Sequence, residues 1–125
     1  ISRASTENIL EQAYEFNGAK ILVGRMDGQD ANNLRANAEM LKDKLKSGVV
    51  VLGSVSDDKV ALVCFASKDL VARGINAGKI VGAAAKAAGG GGGGRPDMAQ
   101  AGAKDANKLD EALALAKELI EKTLA

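Results

Sequence analysis

The chain has no histidine and no tryptophan, one cysteine, one proline, one tyrosine and two phenylalanines among its 125 residues. Without histidine there is no Ser-His-Asp triad, no imidazole general base and no His metal site. Cys64 stands alone in an apolar run, so no intrachain disulfide and no thiolate metal set can be built around it. It reads as a buried small hydrophobe. Aromatics at 2% exclude a multi-ring stacking platform for single-stranded bases and leave the core to Ala, Val, Leu and Ile. No stretch reaches the length of a membrane span and no signal peptide is visible, so the cytoplasm is the default expectation and no membrane partner is expected. The chain opens Ile-Ser-Arg, without an initiator Met. It is therefore expected to be a piece of something longer.

What is present is ordinary for a globular domain: 46% hydrophobic and 26% charged residues, on a length that supports a single core. The net charge of +1 implies no partner in bulk. Its distribution says more. Between Lys68 and Lys104 the bases Lys68, Arg73, Lys79, Lys86, Arg95 and Lys104 face only Asp69 and Asp97, which makes that segment +4 and the remainder −3. The positive charge surrounds a run of glycines, and a phosphate-bearing partner is the natural reading.

The pattern predicts an α/β domain: a small mixed sheet of about four strands packed with helices and preceded by a helical stub. Ser5 or Thr6 can cap a first helix through Phe16, stopped by Asn17–Gly18, so residues 1–18 read as the stub and 19–125 as the globular unit. Ala19–Gly24 reads as a strand. Asp30 caps a helix to about Lys46 with Leu34, Ala38, Leu41 and Leu45 on one stripe, and Gly48 stops it. Val49–Val55 and Lys59–Ala66 form a hairpin about Ser56–Asp58, and the preceding strand–helix–strand unit predicts a parallel crossover. One helical turn follows at Asp69–Ala72. Ala77–Ala88 is a helix whose Lys79 and Lys86, two turns apart, project together into solvent near the glycines. Met98–Gly102 reads as a short strand. Asn107 caps a last helix, with Asp110 as a weak capping box and Leu109, Ala112, Leu113, Ala116, Leu119, Ile120 and Leu124 as its buried stripe.

Six consecutive glycines, Gly89 to Gly94, are costly to order, because glycine loses more backbone freedom than any other residue. Two readings stand open: a plain linker, or a loop without side chains where another molecule can approach exposed N–H groups. Arg95, Pro96 and Asp97 follow at once, a combination that a linker does not need. No strand feeds the glycines and no Lys-Ser/Thr follows them, which excludes a P-loop and a dinucleotide fingerprint. The adjacent carboxylates Asp57–Asp58 and Asp110–Glu111 fit a turn and a helix start, and nothing pairs a nucleophile with a base. RNA binding remains. Arg95 has a fork suited to phosphate oxygens or a base edge, and Pro96 fixes its approach. Asp97 is either a turn carboxylate or the partner that orients Arg95 or the glycine N–H groups. Gln100 either reads a base edge or is simply solvated. Folded RNA offers shape and 2′-hydroxyls, which suits bare glycine backbone flanked by Lys79, Lys86 and Arg95.

The stretch GGGGGGRPDMAQAGA resembles the signature of the C-terminal domain of alanyl-tRNA synthetases, GG-K-GGG-RPDMAQAGG, almost continuously from Gly89 to Gly102. Gly91 stands where many members carry Lys, and Ala103 where the last Gly usually falls. The surrounding pattern fits from about Ala19 to the end. The resemblance implies a clamp on the tRNA(Ala) elbow, the outer corner where D and T loops meet. The implied contact set is Gly89, Gly90, Gly91, Gly92, Gly93, Gly94, Arg95, Pro96, Asp97, Gln100, Lys79 and Lys86. It further implies a parent that is an ATP-dependent alanine–tRNA ligase. Aminoacylation and editing sites, ATP and zinc would all lie in its other domains, with no catalytic residue and no cofactor here. A homodimer through the upstream helical segment is also implied. Two rivals are the accessory nucleic-acid- or phosphate-binding domain of a DHH-type phosphoesterase and a protein-interaction or dimerisation module. The phosphoesterase branch carries a histidine after the glycines and fits less well.

Overall fold

A computed structural model describes residues 13–28, 30–56 and 59–124. Its strands are β1 (Tyr14–Phe16), β2 (Ala19–Arg25), β3 (Gly48–Ser56), β4 (Lys59–Ala66), β5 (Gly91–Gly94) and β6 (Met98–Ala103). The helices are α1 (Ala31–Leu45), α2 (Lys68–Ala72), α3 (Ala77–Ala87) and α4 (Leu109–Leu124), the last preceded by a 3₁₀ turn at Ala106–Lys108. One mixed sheet runs in the order β1-β2-β3-β4-β6-β5. β2 and β3 are parallel across α1, and β3 and β4 form the predicted antiparallel hairpin.

The sheet divides the expected single core in two. Leu34, Ala38, Leu41 and Leu45 of α1 pack on Leu22, Val50, Leu52, Val63 and Phe65. On the other face, α3 and α4 cover Ile21, Val49, Val51, Leu62, Cys64 and Ala99. The buried stripe of α4 is as predicted, except that Leu119 is half-buried.

Among the described residues six strands replace the expected four, and both additions are edges. Tyr14–Phe16 is not the end of a helix. Asn17 (φ +50) and Gly18 (φ +83) are both left-handed, the two-residue geometry that joins twisted antiparallel strands, so Asn-Gly makes a hairpin here. The rest of the expected first helix, residues 1–12, lies outside the described residues, as do Asp57 and Asp58. Helix α1 ends at Lys46, itself left-handed (φ +65), and Gly48 opens β3. Asn107 is not the cap of the last helix. Asp105 accepts its N–H at 3.1 Å and caps the 3₁₀ turn instead. Among the described residues, no helix is long and apolar enough to cross a membrane.

Candidate nucleic-acid interface

The glycine run is a strand, and the expected loop is confined to its first two residues. Gly89 is left-handed (φ +80) and closes α3: its N–H donates to the Lys86 carbonyl at 3.1 Å and that of Gly90 to Ala85 at 2.7 Å. Gly91–Gly94 then pair with β6 in the register Gly91↔Gly102, Gly92↔Ala101, Gly93↔Gln100 and Gly94↔Ala99. β5 is the sheet's edge, exposed along its whole length.

The glycines are required at alternate positions. A Cβ at Gly90 would lie 2.0 Å from the Gly102 carbonyl oxygen, at Gly92 2.5 Å from the Ala101 Cα, and at Gly94 2.8 Å from the Met98 oxygen. At Gly91 and Gly93 it would meet nothing within 4 Å. Position 91 therefore has room for the lysine of the resembling signature. Helix α3 lies on the other side of the strand through two glycines of its own. A Cβ on Gly78 would sit 2.9 Å from the Gly94 oxygen, and one on Gly82 3.2 Å from the Gly92 oxygen.

Arg95 to Met98 turn β5 into β6. The Arg95 N–H donates to the Met98 carbonyl at 2.9 Å, the Ala77 N–H to Pro96 at 2.8 Å and the Ala66 N–H to Asp97 at 2.9 Å. The turn is thus pinned to the start of α3 and the end of β4. The Arg95 side chain is 76% exposed, with Nε 3.9 Å from Asp97 Oδ1. That exposed pair contributes little to stability and leaves the guanidinium fork open.

Side chains alternate across a strand, so the register sorts the candidates by face. Gly91 and Gly93 share the α1 side with Gln100, Gly102, Ala61 and Met98. Helix α1 packs on β3 and β4, and beyond its first turn the β4–β6–β5 floor opens as a groove of about 640 Å³. Asp30, Leu34, Lys59, Ala61, Gly91 and Gln100 are among the residues that line it. Lys79 and Lys86 are both exposed, but on α3, which occupies the opposite face. Continuing the alternation of β5 puts Arg95 on the face of Gly91, Gly93 and Gln100, whereas the two lysines sit on the helix that covers the other face. Lys59, Ala61 and Gly102 also line this groove and are not among the candidates that the sequence offers. The hairpin reading contained the signal, since Lys59 has the same parity as Ala61, Val63 and Phe65.

Elsewhere, several titratable groups hold the fold together. Arg25 donates to Asp27 at 2.7 Å and to Asp110 at 3.1 Å, joining the end of β2 to α4. The Arg25 hydrogen bond holds the Asp27 carboxyl below the usual carboxylate range. Hydrogen bonds from Ser47 and Ser67 do the same for Asp69. Burial pushes the Cys64 thiol up to about 12. Among the described residues, no three Cys, Asp or Glu side chains gather as a metal set.

A family model described as the DHHA1 domain matches residues 18–122. An alanine–tRNA ligase of Acetivibrio thermocellus is 53% identical over 98% of this chain, which spans 14% of that protein's length. The crystal structure of the C-Ala domain from Aquifex aeolicus alanyl-tRNA synthetase superposes with a TM-score of 0.78 at 32% identity, covering 87% of this chain and 97% of that one. RecJ from Thermus thermophilus shares the fold at a TM-score of 0.64 and 16% identity, over 96% of this chain and 17% of its own. The chain therefore belongs to the DHHA1 domain family, in the branch formed by the C-terminal domains of alanyl-tRNA synthetases.

Proposed function

We propose that this domain holds tRNA by its elbow on behalf of an alanine–tRNA ligase. One bound molecule is thereby kept within reach of aminoacylation and editing sites elsewhere in the parent. Binding of this kind adds effective concentration and no chemistry of its own. The observation that carries the reading is the bare edge strand Gly91–Gly94 ending on the open guanidinium of Arg95. Peptide groups without side chains can approach a folded RNA surface closely, and a guanidinium grips phosphate oxygens with two parallel hydrogen bonds. ATP and zinc belong in this reading to the parent's other domains, the setting is cytoplasmic, and a homodimer forms through an upstream helical segment.

A gel-shift titration tests it. Folded tRNA should bind in preference to tRNA whose D-loop/T-loop contact has been disrupted, and equal binding removes the elbow from the proposal. Log affinity should fall linearly against log salt, with a slope of roughly −1 for each phosphate contacted. The unpaired edge of β5 favours one second reading, strand addition by a protein partner. A flat salt response is its mark.

A further inference from the structure

Of the two faces of Gly91–Gly94, only one is open. On the α3 side the strand is shut, because Gly78 and Gly82 bring the helix backbone against Gly94 and Gly92. On the α1 side nothing stands over Gly91 or Gly93 within 4 Å of a Cβ position. Rows can be followed across that open side from the register. Phe65 pairs with Met98, and Met98 faces Arg95 across the turn. Val63 pairs with Gln100 and Gln100 with Gly93; Ala61 pairs with Gly102 and Gly102 with Gly91. Lys59 lies two residues further along β4, on the same face and in the same groove as Gly91 and Gln100.

The strip thus carries a cation at each end, Arg95 and Lys59. Their rows are six residues apart along the strand direction, roughly 20 Å at about 3.3 Å per residue, and Arg95 lies two strands across from Lys59. Between them the open floor is peptide backbone, Ala61 and the Gln100 amide, with half-buried Met98 beside Arg95 and with Val63 and Phe65 of β4 covered by α1. Asp30, an exposed acid in the groove wall, caps α1 by accepting the Asn33 N–H at 2.8 Å, so its negative charge is partly offset by the helix N-terminus. A flat floor with little side-chain relief and positive ends suits a sugar–phosphate ridge, whose anionic oxygens meet the cations while ribose hydroxyls lie against peptide groups.

We infer that RNA lies along the α1 side of the β4–β6–β5 strip, with Lys59 as the second phosphate-binding cation opposite Arg95. This rests on the RNA-binding reading above and deepens it by naming the face and a residue.

The test titrates this chain and its variants with folded tRNA over a salt series. Lys59→Ala should weaken binding by about fivefold to tenfold and reduce the salt slope by about one, as loss of one phosphate contact requires. Lys122→Glu, on the exposed side of α4 beyond the other face of the sheet, removes more charge and should leave affinity within about twofold. Gly91→Lys places a new cation in open space within the same groove, so it should tighten binding and restore most of what Lys59→Ala loses. Far-ultraviolet circular dichroism of each variant establishes that the fold is retained. Unchanged affinity and slope in Lys59→Ala, or failure of Gly91→Lys to compensate, overturns the assignment of the face while leaving tRNA binding intact. If the unaltered chain binds no tRNA, the functional reading falls, and this inference falls with it.

Discussion

Gly78 of α3 lies backbone to backbone with Gly94 of β5: a Cβ at position 78 would sit 2.9 Å from the Gly94 carbonyl oxygen and 3.2 Å from its nitrogen. Four residues on, Gly82 faces Gly92 with slightly more room, at 3.2 Å. The helix accepts two poor helix formers in exchange for this approach. Alanine at an ordinary helical site gains about 1 kcal/mol over glycine. Overpacking a close contact costs about 1–3 kcal/mol. Gly78→Ala, which meets unyielding backbone, is therefore expected to destabilise by about 1 kcal/mol. Gly82→Ala should come out near neutral. Urea unfolding of the two variants measures the difference, and equal midpoints would show that the helix slides freely on the strand.

Within β5 the demand for glycine alternates. Gly92→Ala drives a methyl to 2.5 Å from both the Cα and Cβ of Ala101 and should detach the edge strand or lower stability by about 2 kcal/mol or more. Gly93→Ala points its methyl into open space, and the reduced freedom of the unfolded chain should stabilise by about 0.5 kcal/mol. Thermal unfolding that ranks Gly93→Ala above the unaltered chain and Gly92→Ala below it checks the alternation.

That alternation is why the sequence reads as a loop here. A uniform run has no period, and glycine has the poorest strand propensity, so nothing local marks Gly91–Gly94 as extended. The demand arises from two distant partners, Ala101 on one strand and Gly78–Gly82 on a helix. Tyr14–Phe16 is a different case. Asn17–Gly18 is a hairpin signal that serves equally as a helix stop, and the apolar periodicity of the residues before it favours helix. Elements whose signal is local and redundant, such as α1 with its Asp30 cap and α4 with its apolar stripe, were legible to within a residue or two. Of the interface, the residue types were legible. The proposed face is not, because Lys59 and Gly91 come to line one groove only through the two registers that join β4 to β6 and β6 to β5.

Asp27 is expected to contribute to the acid limb of stability. Its carboxyl is depressed first by the Arg25 hydrogen bond and further by the Val55 N–H. A carboxyl depressed in the folded state stabilises above its unfolded value, near pH 4, and that contribution is lost as pH falls through the folded value. Asp27→Asn should lower stability at neutral pH and flatten the fall between about pH 4 and pH 2. Denaturant midpoints measured across that range test it, and parallel curves for the two proteins would show that the Arg25–Asp27 pair carries no linkage.

Cys64 is fully buried in the second half of β4, and its thiol is raised to about 12 by that burial. The thiolate is the reactive form, so a native chain at pH 8 should resist a disulfide reagent and react fully once unfolded in guanidinium. Rapid stoichiometric labelling of native protein would mean that β4 opens on the timescale of the assay.

Arg95 separates stability from binding. Its side chain is 76% exposed, and its contact to Asp97 is 3.9 Å, too long and too solvated to hold the turn. The turn is held by main-chain bonds from Arg95, Ala77 and Ala66, which no side-chain change removes. Arg95→Ala should therefore shift unfolding by no more than about 0.5 kcal/mol. If the guanidinium grips phosphate, the same change should weaken tRNA binding by about 1–3 kcal/mol. Arg95→Lys should fall between, retaining the charge but not the planar fork. The two measurements together decide the matter. A loss of affinity at constant stability assigns the side chain to the RNA, whereas unchanged affinity removes Arg95 from the interface.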